Sequence, residues 1–159
     1  QDILFRIRDK FGCSVEFVFW GCTGTRLAEL GRVIPFDDSY ASFLKTLGKV
    51  HFDIGLAPLA DNTFNRCKSN IKWLEYSAYA RPGVYSDLEP YRGSVVHGKT
   101  GMLAGNDPHE WLNALEYLIT HPTERQAMGR AARKDAFARF GLSKGVHRYL
   151  EVYSGLLGR

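Results

Sequence analysis

The fold is decided by residues 52–86, which read FDIGLAPLADNTFNRCKSNIKWLEYSAYARPGVYS. Phe52–Pro58 is an apolar run that ends in proline, and it predicts a buried strand. After a polar loop, Ser69 or Asn70 can cap a helix. The predicted inward face of this helix carries Ile71, Leu74 and Ala78. The helix ends before a proline, and Gly83–Ser86 predicts the next strand, parallel to the first.

The same alternation of strands and helices extends to both sides of this stretch. The further predicted strands are Val15–Trp20, Arg32–Phe36, Ser94–Val96 and Thr100–Ala104. The further predicted helices are Gln1–Phe11, a helix with Tyr40, Phe43, Leu44 and Leu47 on one face, one opened by Asn106-Asp107-Pro108, Glu124–Phe140 and Val146–Leu157. This order predicts an α/β protein with a mainly parallel sheet covered by helices on both faces.

Length and composition limit the class of protein. The chain has 159 residues, of which 45% are hydrophobic and 24% charged, so we expect one folded domain. No apolar run approaches the roughly 20 residues of a membrane-spanning helix. The chain begins Gln1-Asp2 without an initiator methionine, so we expect it to be cut from a longer protein.

The cysteine pattern and the motifs that the sequence lacks argue against several kinds of site. The three cysteines are odd in number and form no CxxC pair, which argues against a disulfide framework and fits a reducing cytoplasm. GxGxxG, P-loop, HExxH and GxSxG patterns are missing from the sequence, so dinucleotide, P-loop, zinc-hydrolase and serine-hydrolase interpretations have no support. We therefore predict no metal site.

Positive charge is concentrated in the last quarter of the chain. From His121 onward there are eight Lys and Arg residues against three Asp and Glu residues. Such a surface can attract an anionic membrane or a nucleic acid, but a solvated helix face is the favoured explanation. Because aromatic residues do not alternate with the basic ones, we predict no nucleic-acid partner.

The loops that follow the strands are the places to look for a site, because ligands bind at the carboxyl ends of parallel strands. These loops are Gly21–Gly31, Asp37–Tyr40, Leu59–Asn70 and Asp87–Arg92. In the third, Lys68 comes just before a predicted helix N-terminus, whose free N–H groups favour a phosphate. The alternative is that Ser69 is only a helix cap.

Glu75 is the candidate carboxylate on the predicted helix. It lies one residue from the Leu74 face, from where it could reach over the strand ends and accept hydrogen bonds from a ribose diol. The alternative is a solvated or ion-paired glutamate, with Lys72 or Tyr79 as the neighbour.

Four ordered motifs resemble one family of proteins. They are Phe52–Leu59, Asn65–Lys72 with Glu75-Tyr76, Arg81–Asp87 and His97–Leu103. Together they resemble the C-terminal half of nucleotide-sugar glycosyltransferases with the GT-B fold, in the group of bacterial hexosyltransferases that build surface polysaccharides. The resemblance implies that residues 1–159 form one Rossmann-like, donor-binding domain, without the N-terminal domain that binds the acceptor.

The resemblance also implies roles for individual residues. Glu75 corresponds to the glutamate that binds the donor ribose, and Lys68, Ser69 and Asn70 to the turn that faces the donor phosphates. The segment Val33–Phe36 resembles the one that packs on the base. The nucleoside-diphosphate sugar is a substrate in such enzymes, and no cofactor is implied.

One position departs from the family pattern. Many relatives carry a second glutamate, facing the sugar, where this chain has Cys67. That role is vacant or passes to a neighbour such as Asn62 or Asn65, and the catalytic residues are not identified. Because the acceptor site and the catalytic base are expected in the missing half, we expect the fragment to bind donor weakly and to catalyse nothing alone.

The favoured hypothesis is transfer of a hexose from a nucleoside-diphosphate sugar to a glycan or lipid-linked acceptor. It places the protein in the cytoplasm and is compatible with a peripheral contact with the inner face of the membrane. Two alternatives stay open. One is a nucleotide-sugar epimerase with the same fold, and the other is a non-catalytic nucleotide-sugar-binding module, suggested by Cys67.

Overall fold

Five parallel strands form two sheets in the computed structural model, which describes residues 2–21 and 24–157. The strands are β1 (Phe17–Trp20), β2 (Gly31–Ile34), β3 (Gly55–Ala57), β4 (Gly83–Ser86) and β5 (Met102–Ala104). β1 pairs with β2, and β4 lies between β3 and β5. Gly55 lies opposite Gly83, and Val84 opposite Met102, so the carboxyl ends of β3, β4 and β5 meet at one edge.

Helices connect and flank the strands. They are α1 (Asp2–Phe11), α2 (Thr25–Ala28), α3 (Tyr40–Leu47), α4 (Thr63–Arg66), α5 (Ile71–Ala78), α6 (Glu89–Arg92), α7 (Pro108–Thr120), α8 (Pro122–Phe140) and α9 (Leu142–Leu157). Gln1, included in the first predicted helix, lies outside the described residues. Side chains cap two of the longer helices: Ser39 accepts a hydrogen bond from the Ser42 N–H, and Asp107 accepts one from the His109 N–H.

Two apolar clusters make the core. The first contains residues from both sheets, from α1, α7 and α8, and from the turn before β2: Ile7, Phe17, Leu30, Val84, Ala104, Leu112, Ala114, Leu115, Leu118 and Met128. The second contains Ala57, Trp73, Tyr85, Tyr91, Val95 and Ala136, between α5, α8 and the sheet of β3 to β5. The predicted class, an α/β fold with parallel strands flanked by helices, is confirmed.

Two details of the prediction are wrong. In α5, Ile71 is 42% exposed and Ala78 is exposed, whereas Trp73 is fully buried. The helix packs against α8 through Trp73, whose ring meets the Phe140 ring edge-on at 5.9 Å. The indole N–H of Trp73 donates to the Thr100 carbonyl, and the buried stripe is rotated from the predicted one. Segment 94–96 is not a strand, because the Lys99 and Thr100 N–H groups both bond to the Val96 carbonyl in a tight turn.

None of the helices in residues 2–21 and 24–157 has the length and apolar composition that crossing a membrane requires.

Candidate functional site

The loop after β3 is tied to the end of β4 by one buried side chain. The Ser86 hydroxyl donates to the Leu59 carbonyl at 3.1 Å and accepts from the Leu59 N–H at 2.7 Å. Ser86 is 6% exposed, so this pair of hydrogen bonds is shielded from water. The loop that carries the predicted phosphate-binding residues therefore starts from a fixed point at the strand ends.

Asn65 holds the middle of this loop. Its side-chain amide donates to the Ala60 carbonyl at 2.8 Å, and its backbone N–H donates to the Asn62 side chain at 2.9 Å. Asn62 is the N-cap of α4, a helix of one turn that the sequence pattern was too short to indicate. Asn65 is buried, and its observed bonds shape the loop.

Lys68 and Ser69 are both exposed just before α5. The Lys68 ammonium lies 4.9 Å from the centroid of the Phe64 ring. Asn70, at the N-cap of α5, turns its amide to the Ser94 hydroxyl at 2.7 Å and not to the helix. The N–H groups of the first turn of α5 are thus left without a side-chain cap beside an exposed cation, an arrangement that favours an anion.

Glu75 lies in the middle of α5 with only 4% of its side chain exposed. Lys72, three residues earlier on the same helix, donates to Oε2 at 2.7 Å. The Tyr40 hydroxyl, from the first turn of α3, donates to Oε1 at 3.3 Å. The carboxylate is therefore paired, and Lys72 is the partner that helical spacing indicated.

Tyr40 is the residue of this group that sequence reasoning missed. The sequence placed it on the buried face of α3, but it is 53% exposed and its hydroxyl reaches across to α5. Burial of the phenol raises the pKa of Tyr40, and the charge of Glu75 raises it further, so the hydroxyl stays a donor. No sequence signal joins two positions that are 35 residues apart.

A chain of ion pairs borders a cleft of about 130 Å³ at the same edge of the sheet. Arg66 binds both oxygens of Asp61 and also Glu89, while Arg92 binds both oxygens of Asp87. The hydrogen bond from Arg92 holds the pKa of Asp87 below its ordinary value. These pairs brace the loops around the cleft, which Ser86, Gly105 and Asn106 also line.

The predicted base-packing segment lies at the end of the other sheet. Val33, within β2, is 39% exposed, and Phe36, just after β2, is 75% exposed. Exposed apolar side chains at the carboxyl end of a strand can pack on a planar ring, so the predicted role of this segment stays a prediction.

The chain is similar in sequence to curated proteins that are named glycosyltransferases. No family model matches the chain. A D-inositol 3-phosphate glycosyltransferase of Thermobispora bispora is 36% identical over 87 residues, which are 54% of this chain and 20% of the relative. The enzyme of the same name from Corynebacterium urealyticum is 30% identical over 105 residues, which are 65% of this chain and 23% of the relative. The chain thus spans about a fifth of the length of these curated relatives.

Two solved structures share the fold. Anabaena Alr3699/HepE, in complex with UDP and glucose, has a TM-score of 0.73 at 15% identity, covering 97% of this chain and 44% of that one. Sucrose-phosphate synthase from Thermosynechococcus elongatus has a TM-score of 0.70 at 13% identity, covering 98% of this chain and 42% of that one. The chain has the fold of one half of a GT-B structure.

Proposed function

We propose that residues 1–159 form the C-terminal, donor-binding domain of a hexosyltransferase that uses a nucleoside-diphosphate sugar. The observation that carries the proposal is the buried carboxylate of Glu75 on α5, close behind a helix N-terminus with an exposed lysine at its entrance. Relatives that are named glycosyltransferases support it. The glucose and UDP of the Anabaena complex make UDP the first nucleotide to test.

In this proposal, different residues bind the ribose, the diphosphate and the base of the donor. The Glu75 carboxylate accepts hydrogen bonds from the ribose diol, since an ionised carboxylate offers several acceptor positions. Lys68, Ser69 and the N–H groups after Asn70 bind the diphosphate. Asn65 shapes the loop close to Cys67, where the family resemblance implies a sugar-facing glutamate in many members, and the base packs on Val33–Phe36.

The chemistry of this half is electrostatic. In the transfer, the bond from the anomeric carbon to the diphosphate oxygen breaks, a bond to the acceptor oxygen forms, and the acceptor hydroxyl loses its proton. Negative charge grows on the departing diphosphate, where Lys68 and the N-terminus of α5 stabilise it. The group that takes the proton, and the glycan or lipid-linked acceptor, belong to the N-terminal domain in this proposal.

The names of the relatives favour transfer over the two alternatives, an epimerase and a non-catalytic binding module. We place the protein in the cytoplasm. Peripheral contact with an anionic membrane at its inner face remains a proposal, supported by the basic excess after His121 and by apolar side chains exposed along α9.

Titration of the chain with UDP, GDP and ADP and their hexose conjugates, followed by NMR, tests the donor site. We expect Glu75→Ala to weaken binding of the preferred nucleotide about tenfold or more, because the ribose loses charge-assisted hydrogen bonds. Lys72 is 43% exposed, so its ammonium is still solvated when the carboxylate is removed, and the variant should stay folded. An unchanged dissociation constant in a folded variant would contradict the assignment of Glu75.

A further inference from the structure

The two carboxylate oxygens of Glu75 accept hydrogen bonds of unequal length. Lys72 binds Oε2 at 2.7 Å, the usual length of a charge-assisted hydrogen bond. Tyr40 binds Oε1 at 3.3 Å, well beyond the roughly 2.5–2.7 Å that a hydroxyl prefers when it donates to a carboxylate. One oxygen is therefore firmly held, and the other carries a weak bond that a better donor can replace.

Lys72 is held in place from two sides. Its ammonium lies 4.8 Å from the centroid of the Phe43 ring, within the range of a cation–π contact. Phe43 packs edge-on against Trp20, with ring centroids 4.9 Å apart, so the ring is itself supported by β1. The position of Lys72, and with it the plane of the Glu75 carboxylate, is fixed by packing between α3 and α5.

Tyr40 is free to move by comparison. Its side chain is 53% exposed and its ring stacks on Phe43 at 5.9 Å, so it can turn into solvent without opening a cavity in the core. Its contact with Glu75 is a single long hydrogen bond. Moving the tyrosine away costs little as long as Oε1 receives another donor.

We propose that Lys72 is a positioning residue that orients the Glu75 carboxylate, and that the Tyr40 hydroxyl occupies Oε1 until a ribose hydroxyl replaces it. The inference rests on the proposed role of Glu75. A ribose diol presents two O–H donors, and Oε2 keeps a lone pair for one of them while it accepts from Lys72. The second hydroxyl takes the place of Tyr40 on Oε1.

The test compares the affinities of UDP and 2′,3′-dideoxy-UDP, which lacks the diol, for the chain and its variants. Tyr40→Phe should bind UDP about three- to tenfold more tightly, because the competing hydrogen bond is gone and Oε1 is unpaired in the free protein. Its affinity for dideoxy-UDP should not change. Weaker or unchanged binding of UDP by this variant overturns the role of Tyr40.

Lys72→Met should weaken the binding of UDP about tenfold, because the carboxylate is no longer oriented toward the diol. The affinity of this variant for UDP should then be close to its affinity for dideoxy-UDP. Lys72→Arg, which keeps the ion pair, should restore part of the preference for the diol. Lys68→Met is the matched control, since a contact to phosphate contributes equally to both nucleotides and its loss leaves their ratio unchanged.

The outcomes separate this inference from the proposed function. If the unmodified chain binds neither nucleotide, or binds both equally, the donor site with its ribose-binding glutamate is wrong. If it prefers UDP and Lys72→Met keeps that preference, only the positioning role of Lys72 is overturned. Tyr40→Phe removes one oxygen from a half-exposed ring, so it gives a result even where Lys72→Met does not fold.

Discussion

At the scale of single residues, two neighbouring tyrosines, the partly buried Tyr76 and the fully buried Tyr85, differ in one hydrogen bond. The Tyr76 hydroxyl donates to the Leu56 carbonyl at 3.0 Å, whereas the Tyr85 hydroxyl is buried without a partner in residues 2–21 and 24–157. We expect Tyr85→Phe to raise the free energy of unfolding by about 1 kcal/mol, because a buried unpaired hydroxyl is removed. Tyr76→Phe should lower it by about 1 kcal/mol.

Urea unfolding of both variants, followed by far-UV circular dichroism, measures these changes. Each substitution removes the same atom from a ring of the same cluster, so the two serve as controls for each other. If Tyr85→Phe destabilises the protein as much as Tyr76→Phe, the Tyr85 hydroxyl has a partner, such as a buried water.

The candidate site shows which residue contacts a sequence can predict. Lys72 and Glu75 are three residues apart, and the helical repeat alone brings such side chains together. The contact of Tyr40 with Glu75 depends on how α3 packs against α5, which no local pattern encodes. The fully buried Trp73 was missed for the same reason, because α8 covers the side of α5 on which it lies.

At the scale of elements, α5 and α8 meet at a glycine. A Cβ atom at Gly129 of α8 would overlap the carbonyl oxygen of Ala80, two residues beyond the end of α5, where the chain turns with a φ of 53°. We expect Gly129→Ala to lower the free energy of unfolding by about 1–3 kcal/mol, because the two helices are pushed apart. Thermal denaturation measures the change.

Gly145→Ala in α9 is the matched control for this prediction. A Cβ atom there meets nothing within 4 Å, so only the helix propensity changes. Alanine is favoured over glycine in a helix interior by about 1 kcal/mol, and the control should be neutral or stabilising. A Gly129→Ala variant as stable as this control would mean that α5 and α8 do not pack as closely as described.

The longer elements were predictable because each has its own signals. The helices α3 and α7 begin after Ser39 and Asp107, whose side chains cap them, and the apolar runs of β3 and β4 contain the observed strands. The helices α2, α4 and α6 have four residues each, too few to show a helical repeat. Their positions depend on the loops that the strand ends hold.

At the scale of the whole molecule, the strands belong to two sheets that both contribute residues to the first apolar cluster. The sequence predicted a single mainly parallel sheet, and the strand patterns contain no signal for which strands pair. Phe17 of β1 and Val84 of β4 belong to the same cluster. The two sheets therefore pack together through apolar side chains although no strand of one is hydrogen-bonded to a strand of the other in the described residues. The parallel order alone predicts that a ligand site lies at the strand ends, where the candidate site is found.

The tyrosines buried between the strands and α5 tie the stability of the whole domain to pH. Burial raises the pKa of Tyr91 to about 12, and burial also raises the pKa values of Tyr76 and Tyr85. In the unfolded chain a tyrosine ionises near its ordinary value of about 10. Each contribution to stability is therefore complete below pH 10 and is lost as the pH rises through the pKa of that tyrosine in the folded protein, which is about 12 for Tyr91.

We expect the free energy of unfolding to fall above pH 10 by roughly 1.4 kcal/mol per pH unit for each of these phenols. Urea titrations between pH 8 and 12 measure the slope. Tyr91→Phe should make the slope shallower by roughly 1.4 kcal/mol per pH unit, because the variant has one fewer group to ionise on unfolding. Tyr149→Phe, at a 68% exposed position on α9, should leave the slope unchanged, and an equal effect of both variants would contradict the argument.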